Sequence, residues 1–195
     1  NGCFADDTQN DFQRGAPNTC DLVSSPGSVV LADPDNTDAK STSVSPTGFG
    51  FTNTTWAGQT FTPTVSGQLK RVDVELFCSG CSGMNPDITV SIRNTTGNPA
   101  VPTGADLGTA TLPGFNDGAA GGLKTVTFST PVSLSAGTRY AFIFRAVAAR
   151  TVSYAYTCSC AATGFSDSNP YANGQRVTST TSGASWTADT TVGGR

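Results

Sequence analysis

The chain has 195 residues, enough for one domain or for one domain with a long arm. Only 13% of them are charged, the net charge is −3 and there is no histidine. These figures argue against a nucleic-acid binder, which needs a basic stripe, and against the commonest general base and the usual partner of catalytic Ser and Cys.

Glu75 is the single glutamate, and Lys40, Lys70 and Lys124 are the only lysines. Gly, Ser, Thr and Asn take their place, which is turn and strand chemistry. No stretch carries apolar residues at helical spacing over a helix length, so almost no helix is expected. No apolar run approaches a membrane span, so no membrane insertion is expected. The chain begins at Asn1 without Met and without a charged-then-apolar leader, as a mature, processed protein would.

Residues 1–27 are polar and loop-like, with Phe4 and Phe12 as aromatic anchors. A Cys3–Cys20 disulfide would close this arm, a contribution of about 3 kcal/mol on the chain-entropy account. Ser28, Val29, Val30, Leu31 and Ala32 form a predicted short strand, with Val29 and Leu31 on one face. Residues 33–55 are a Thr/Ser/Asn/Gly-rich connection, too long for a structureless internal loop. Within it Asp33, Asp35 and Asp38 offer oxygen ligands that suit calcium, although the Gly and terminal Glu of an EF-hand loop are missing. The bland reading is a turn-rich surface loop. The expected division is an arm and connection over 1–55 and a β-sandwich over 56–195.

Predicted strands then follow at 57–62, 68–77, 87–93, 107–112, 122–129, 138–146, 151–158, 174–180 and 184–187, separated by Gly- and Pro-bearing turns. The clearest are the pair within Gln68 to Arg93. Val72, Val74 and Leu76 alternate with Arg71, Asp73 and Glu75; Ile88, Val90 and Ile92 alternate with Thr89, Ser91 and Arg93. Such period-two patterns put one face on a core. In 138–146, Tyr140, Phe142 and Phe144 alternate with Ala141, Ile143 and Arg145, as in a central, nearly buried strand. Many short strands with this punctuation mean an antiparallel β-sandwich or barrel.

Six cysteines come in pairs, Cys3 with Cys20, Cys78 with Cys81 and Cys158 with Cys160. An even, paired set in a low-charge all-β chain favours disulfides and an extracellular or cell-surface location. Cys3–Cys20 and Cys78–Cys81 are expected as local bonds; Cys158 and Cys160 either close a strained short ring or meet partners elsewhere. Zinc on Cys78, Cys81, Cys158 and Cys160 is the rival reading, and the second pair has the wrong spacing for it. A redox Cys-x-x-Cys needs a helix N-terminus, which Ser79-Gly80 between two strands does not offer.

No catalytic signature is visible, and carboxylate pairs such as Asp6-Asp7 lie in polar loops, so no enzyme activity is expected. Trp56, Tyr154, Tyr156, Tyr171 and Trp186 are candidate sugar platforms, because aromatic faces stack on the C–H faces of sugars. For Trp56 and Trp186 a place in the core or over an edge is the favoured reading; Tyr154 and Tyr156 share a strand face and make the better platform. Asn53-Thr54-Thr55 and Asn94-Thr95-Thr96 are glycosylation sequons that matter only in a glycosylating host.

A set of segments carries a resemblance. They are Gln59-Thr60-Phe61, Val72 to Glu75, Asp87 to Arg93, Pro131 to Ala141, Asn169 to Gly174 and Ser185-Trp186-Thr187. Together, from Trp56 to Trp186, they resemble the jelly-roll modules of large secreted bacterial surface proteins and carbohydrate-active proteins. The resemblance implies a jelly-roll-like sandwich that binds, spaces or assembles. Members of that family usually continue into a further apolar strand beyond the position of Gly193-Gly194-Arg195, so an open sheet edge is expected here. An open edge invites a strand from another chain. The leading expectation is therefore a structural, filament- or pilus-like subunit that forms a head-to-tail homo-oligomer through 28–32. The alternative is a carbohydrate-binding or adhesion module whose partner is a polysaccharide.

Overall fold

A computed structural model describes residues 49–78, 85–116, 122–149, 156–158 and 174–189. All of these belong to one compact unit, Asp38–Arg195. The protein is all-β, with no helix among the described residues. The strands are β1 (Phe49–Phe51), β2 (Trp56–Phe61), β3 (Gly67–Cys78), β4 (Ile88–Thr96), β5 (Val101–Leu112), β6 (Gly122–Leu134), β7 (Tyr140–Ala146), β8 (Tyr156–Cys158), β9 (Arg176–Ser179) and β10 (Thr187–Ala188).

They form two antiparallel sheets, one in the order β1-β8-β3-β6 and one in the order β10-β9-β2-β7-β4-β5. The core lies between them. Phe51, Val74, Leu76, Val126, Phe128, Val132 and Leu134 of the smaller sheet pack with Ala57, Phe61, Val90, Ile92, Tyr140 and Phe144 of the larger one. The alternation in β3, β4 and β7 decides this arrangement: their apolar sets are the ones that face inward. The Phe51 and Phe144 rings, 5.8 Å apart, join the two layers.

Three elements depart most from the predicted pattern. β1 lies ahead of the expected boundary at residue 56, in the stretch expected to connect arm and body, yet Phe51 is fully buried in the core. β5 begins at Val101 rather than at 107, and β6 runs to Leu134 rather than stopping at 129. In both, a bulge absorbs residues that break an ordinary strand. The β3–β6 register shifts between Leu69 and Arg71, beside Pro131; the β4–β5 register shifts on both sides of Arg93.

Cys78 closes β3, fully buried and disulfide-bonded. Cys158 is placed by its backbone in β8, opposite Phe49 and Leu76. Cys3, Cys20, Cys81 and Cys160 lie outside the described residues, as do the predicted strand Ser28–Ala32 and the candidate calcium ligands Asp33, Asp35 and Asp38.

Candidate functional site

Two groupings of polar side chains stand out on the larger sheet. The first is on its outer face. Arg93 on β4 and Arg145 on β7 alternate with core residues and therefore point outward, as their sequence positions predict. Asp106 on β5 joins them through the bulge. Ile92 pairs with Gly108, and an unbroken ladder would then set Leu107 opposite Arg93; instead Asp106 holds that position. One extra residue turns Asp106 to the outer face, opposite Arg93. Leu107 is left exposed and Asp106 receives both guanidinium groups.

Arg93 Nε donates to Asp106 Oδ1 at 2.6 Å and Arg145 Nη2 to Asp106 Oδ2 at 2.7 Å. Arg145 Nη1 also donates to Ser91 Oγ at 2.8 Å. All three charged side chains are under 20% exposed. Burial works to raise the Asp106 pKa, and the two arginines outweigh it, so the carboxyl lies below its ordinary range.

Both guanidinium groups lie over the Trp56 ring, at 4.7 Å for Arg145 and 5.5 Å for Arg93. The Trp186 ring packs beside it at 6.2 Å, tilted by 60°. The two indole N–H groups donate to backbone, Trp56 to the Asn53 carbonyl and Trp186 to the Gly183 carbonyl. Gly183 carries a φ of +82°, and a Cβ there would come within 2.8 Å of Trp56 Cε3. Both tryptophans are half-buried, and Trp56 in particular is engaged by its own chain. We expect Gly183→Ala to lower stability by about 1–2 kcal/mol through left-handed strain alone, read as a lower urea midpoint.

The second grouping is a polar cleft of about 500 Å³ at the end of the sandwich where β2 and β4 finish and β7 starts. Thr62, Thr95, Thr96, Gly97, Ala100, Gly137 and Arg139 line it. Two contacts fix its walls to one another: the Thr95 hydroxyl donates to the Arg139 carbonyl at 2.8 Å, and the Gly137 N–H to the Pro63 carbonyl at 2.9 Å. Arg71, Arg93, Arg145 and Arg176 each pair with a carboxylate. Arg139, half-buried, has no ion pair and no side-chain hydrogen bond among the described residues. Sequence reasoning did not single out this cleft. Its residues come from three separate turns, and only folding brings them together.

Of the predicted sugar platforms, Trp56 and Trp186 meet each other in the outer-face cluster, away from the cleft lining. Tyr156 is placed only by its backbone, in β8 opposite Phe51 and Cys78; Tyr154 and Tyr171 lie outside the described residues. Among the described residues no three His, Cys, Asp or Glu side chains gather into a metal-binding group, and no helix is long and apolar enough to cross a membrane. The described carboxylates have structural partners: Asp73 with Thr125 and Arg71, Asp87 with the Gly114 N–H, Asp106 with two arginines, Asp189 with Arg176.

Compared with family models, with curated proteins and with solved structures, the chain matches none.

Proposed function

We propose that this β-sandwich is a non-catalytic, extracellular carbohydrate-binding or adhesion module, and that the cleft at its turn end holds the saccharide. The observation that carries the reading is the cleft itself: about 500 Å³, its walls tied together by two hydrogen bonds, lined with threonines and one arginine that meets no carboxylate among the described residues. That volume is in the usual range of ligand sites. Turns displayed at one end of a stiff sandwich are where such folds commonly carry recognition. The structural engagement of the described carboxylates supports the non-catalytic part, since an acid/base pair needs carboxyls free to meet substrate. The paired cysteines of the sequence support an oxidising, extracellular setting.

Affinity electrophoresis through gels containing a panel of polysaccharides tests this. Retardation in at least one gel is expected, and Thr96→Tyr, an exposed change on the cleft wall, should abolish it while leaving the circular-dichroism spectrum unchanged. Migration identical in every gel would sink the proposal.

Strand-mediated self-assembly is weighed against this by the described edges. β10 and β1 are edge strands of two and three residues, and β5 and β6 carry bulges together with Pro102 and Pro131. Short strands, bulges and proline are the devices that discourage edge-to-edge pairing. The expected result by light scattering is a monomer at high concentration. A mass that rises with concentration, and returns to the monomer on deletion of residues 1–32 but not of 1–27, would instead support the head-to-tail filament.

A further inference from the structure

We propose that the cleft is specific for acidic polysaccharide: Arg139 takes the carboxylate of a uronate residue, and the threonine hydroxyls take its ring hydroxyls. This rests on the carbohydrate-binding reading and adds the charge and geometry of the ligand. In a chain of net charge −3, the cleft lining contains one cation and no carboxylate. Arg139 is half-buried and its guanidinium meets no carboxylate among the described residues, so its hydrogen-bond donors are unclaimed there. An incoming anion supplies the partner. The planar fork of arginine matches a carboxylate bidentately, with two parallel N–H···O bonds.

The surroundings favour a hydroxylated anion over a bare one. Thr95 and Thr96 stand at the end of β4 beside Arg139, and the Thr96 hydroxyl has no protein partner among the described residues. The Thr95–Arg139 hydrogen bond holds the start of β7 against β4, so the arginine projects from a fixed backbone. With the backbone held, only the side-chain torsions remain to be ordered on binding. The other described arginines would not compete, because each already holds a carboxylate.

The test uses the full chain in affinity gels containing polygalacturonate, its fully methyl-esterified form, a sulfated galactan or neutral dextran. Polygalacturonate should retard the wild type; the ester and dextran should not. Arg139→Gln should weaken the polygalacturonate interaction by about tenfold or more, the scale of a lost charge-assisted hydrogen-bond pair. Arg139→Lys should restore part of it, and Arg71→Gln should change nothing. Equal retardation by acid and ester, or an unaffected Arg139→Gln, overturns the inference and leaves the binding module standing. Retardation by the sulfated polymer alone overturns the carboxylate assignment in favour of sulfate. No retardation in any gel overturns both proposals.

Discussion

Gly58→Ala should lower the stability of the sandwich by about 3 kcal/mol, the upper end of what overpacking costs in a closed core. Gly58 lies in β2, hydrogen-bonded between β7 and β9, opposite Ile143 and Val177. A Cβ at this position would press into the backbone carbonyl of Phe142, well inside contact distance, and would stand 3.1 Å from the Ile143 Cα. The obstacle is main chain held in a ladder, so no side-chain rotation relieves it. Either β2 moves away from β7, loosening the pairs from Ala57 to Phe61, or β7 bends and disturbs the packing of Phe142 and Phe144. Both carry the damage into the core. Gly67→Ala is the matched control: nothing stands within 4 Å of its Cβ, so a neutral or slightly stabilising effect of about 0.4–1 kcal/mol is expected. Urea unfolding of the two variants beside the wild type decides it. Equal midpoints for Gly58→Ala and wild type would overturn the close approach of β2 to β7 at Gly58 as a determinant of stability.

What the sequence made legible was the core of the sandwich. In β3 and β4 the apolar residues recur at every second position, the period of a half-buried strand, and the nearly continuous apolar run of β7 marks a central, nearly buried one. Phe49–Phe51 was not legible, because three residues between Gly, Thr and Ser hold too little pattern to distinguish a strand from a loop. Its assignment comes from pairing with β8, whose residues lie more than a hundred positions later. The ends of β5 and β6 were hidden for a different reason. Pro102, Gly104 and Pro131 read as strand breakers, and a bulged ladder tolerates them.

The sites were less legible than the fold. Arg93 and Arg145 could be placed outward from their alternation with Ile92 and Phe144. Asp106 could not, because its face depends on a one-residue bulge that no local pattern announces. Trp56 fits the reading of a residue occupied by its own protein better than that of an open platform, since two arginines cover it. Arg139 directly precedes a strand, Tyr140–Ala146, whose pattern is plain. Whether a carboxylate would meet it depended on which turns the topology set beside it.

The Arg93–Asp106–Arg145 cluster carries the second large effect. Asp106→Asn should cost about 3 kcal/mol at neutral pH, near the lower end for breaking a buried ion pair, since the side chain is 19% exposed. The change leaves two guanidinium groups facing each other over Trp56 with no anion between them. It also releases the bulge that Asp106 ties to β4 and β7. The pH dependence identifies the cause. The Asp106 carboxyl titrates lower in the folded protein than in the unfolded chain, so its contribution to stability is fully present above the unfolded value. That contribution fades below about pH 4, as the pH falls through the folded value. The difference in urea midpoint between wild type and Asp106→Asn should therefore be constant from pH 7 to pH 5 and shrink below pH 4. Adding Arg93→Gln to Asp106→Asn removes one of the stranded cations and should recover part of the loss. A difference that persists unchanged to pH 2.5 would show that Asp106 acts through packing, with its charge making no contribution.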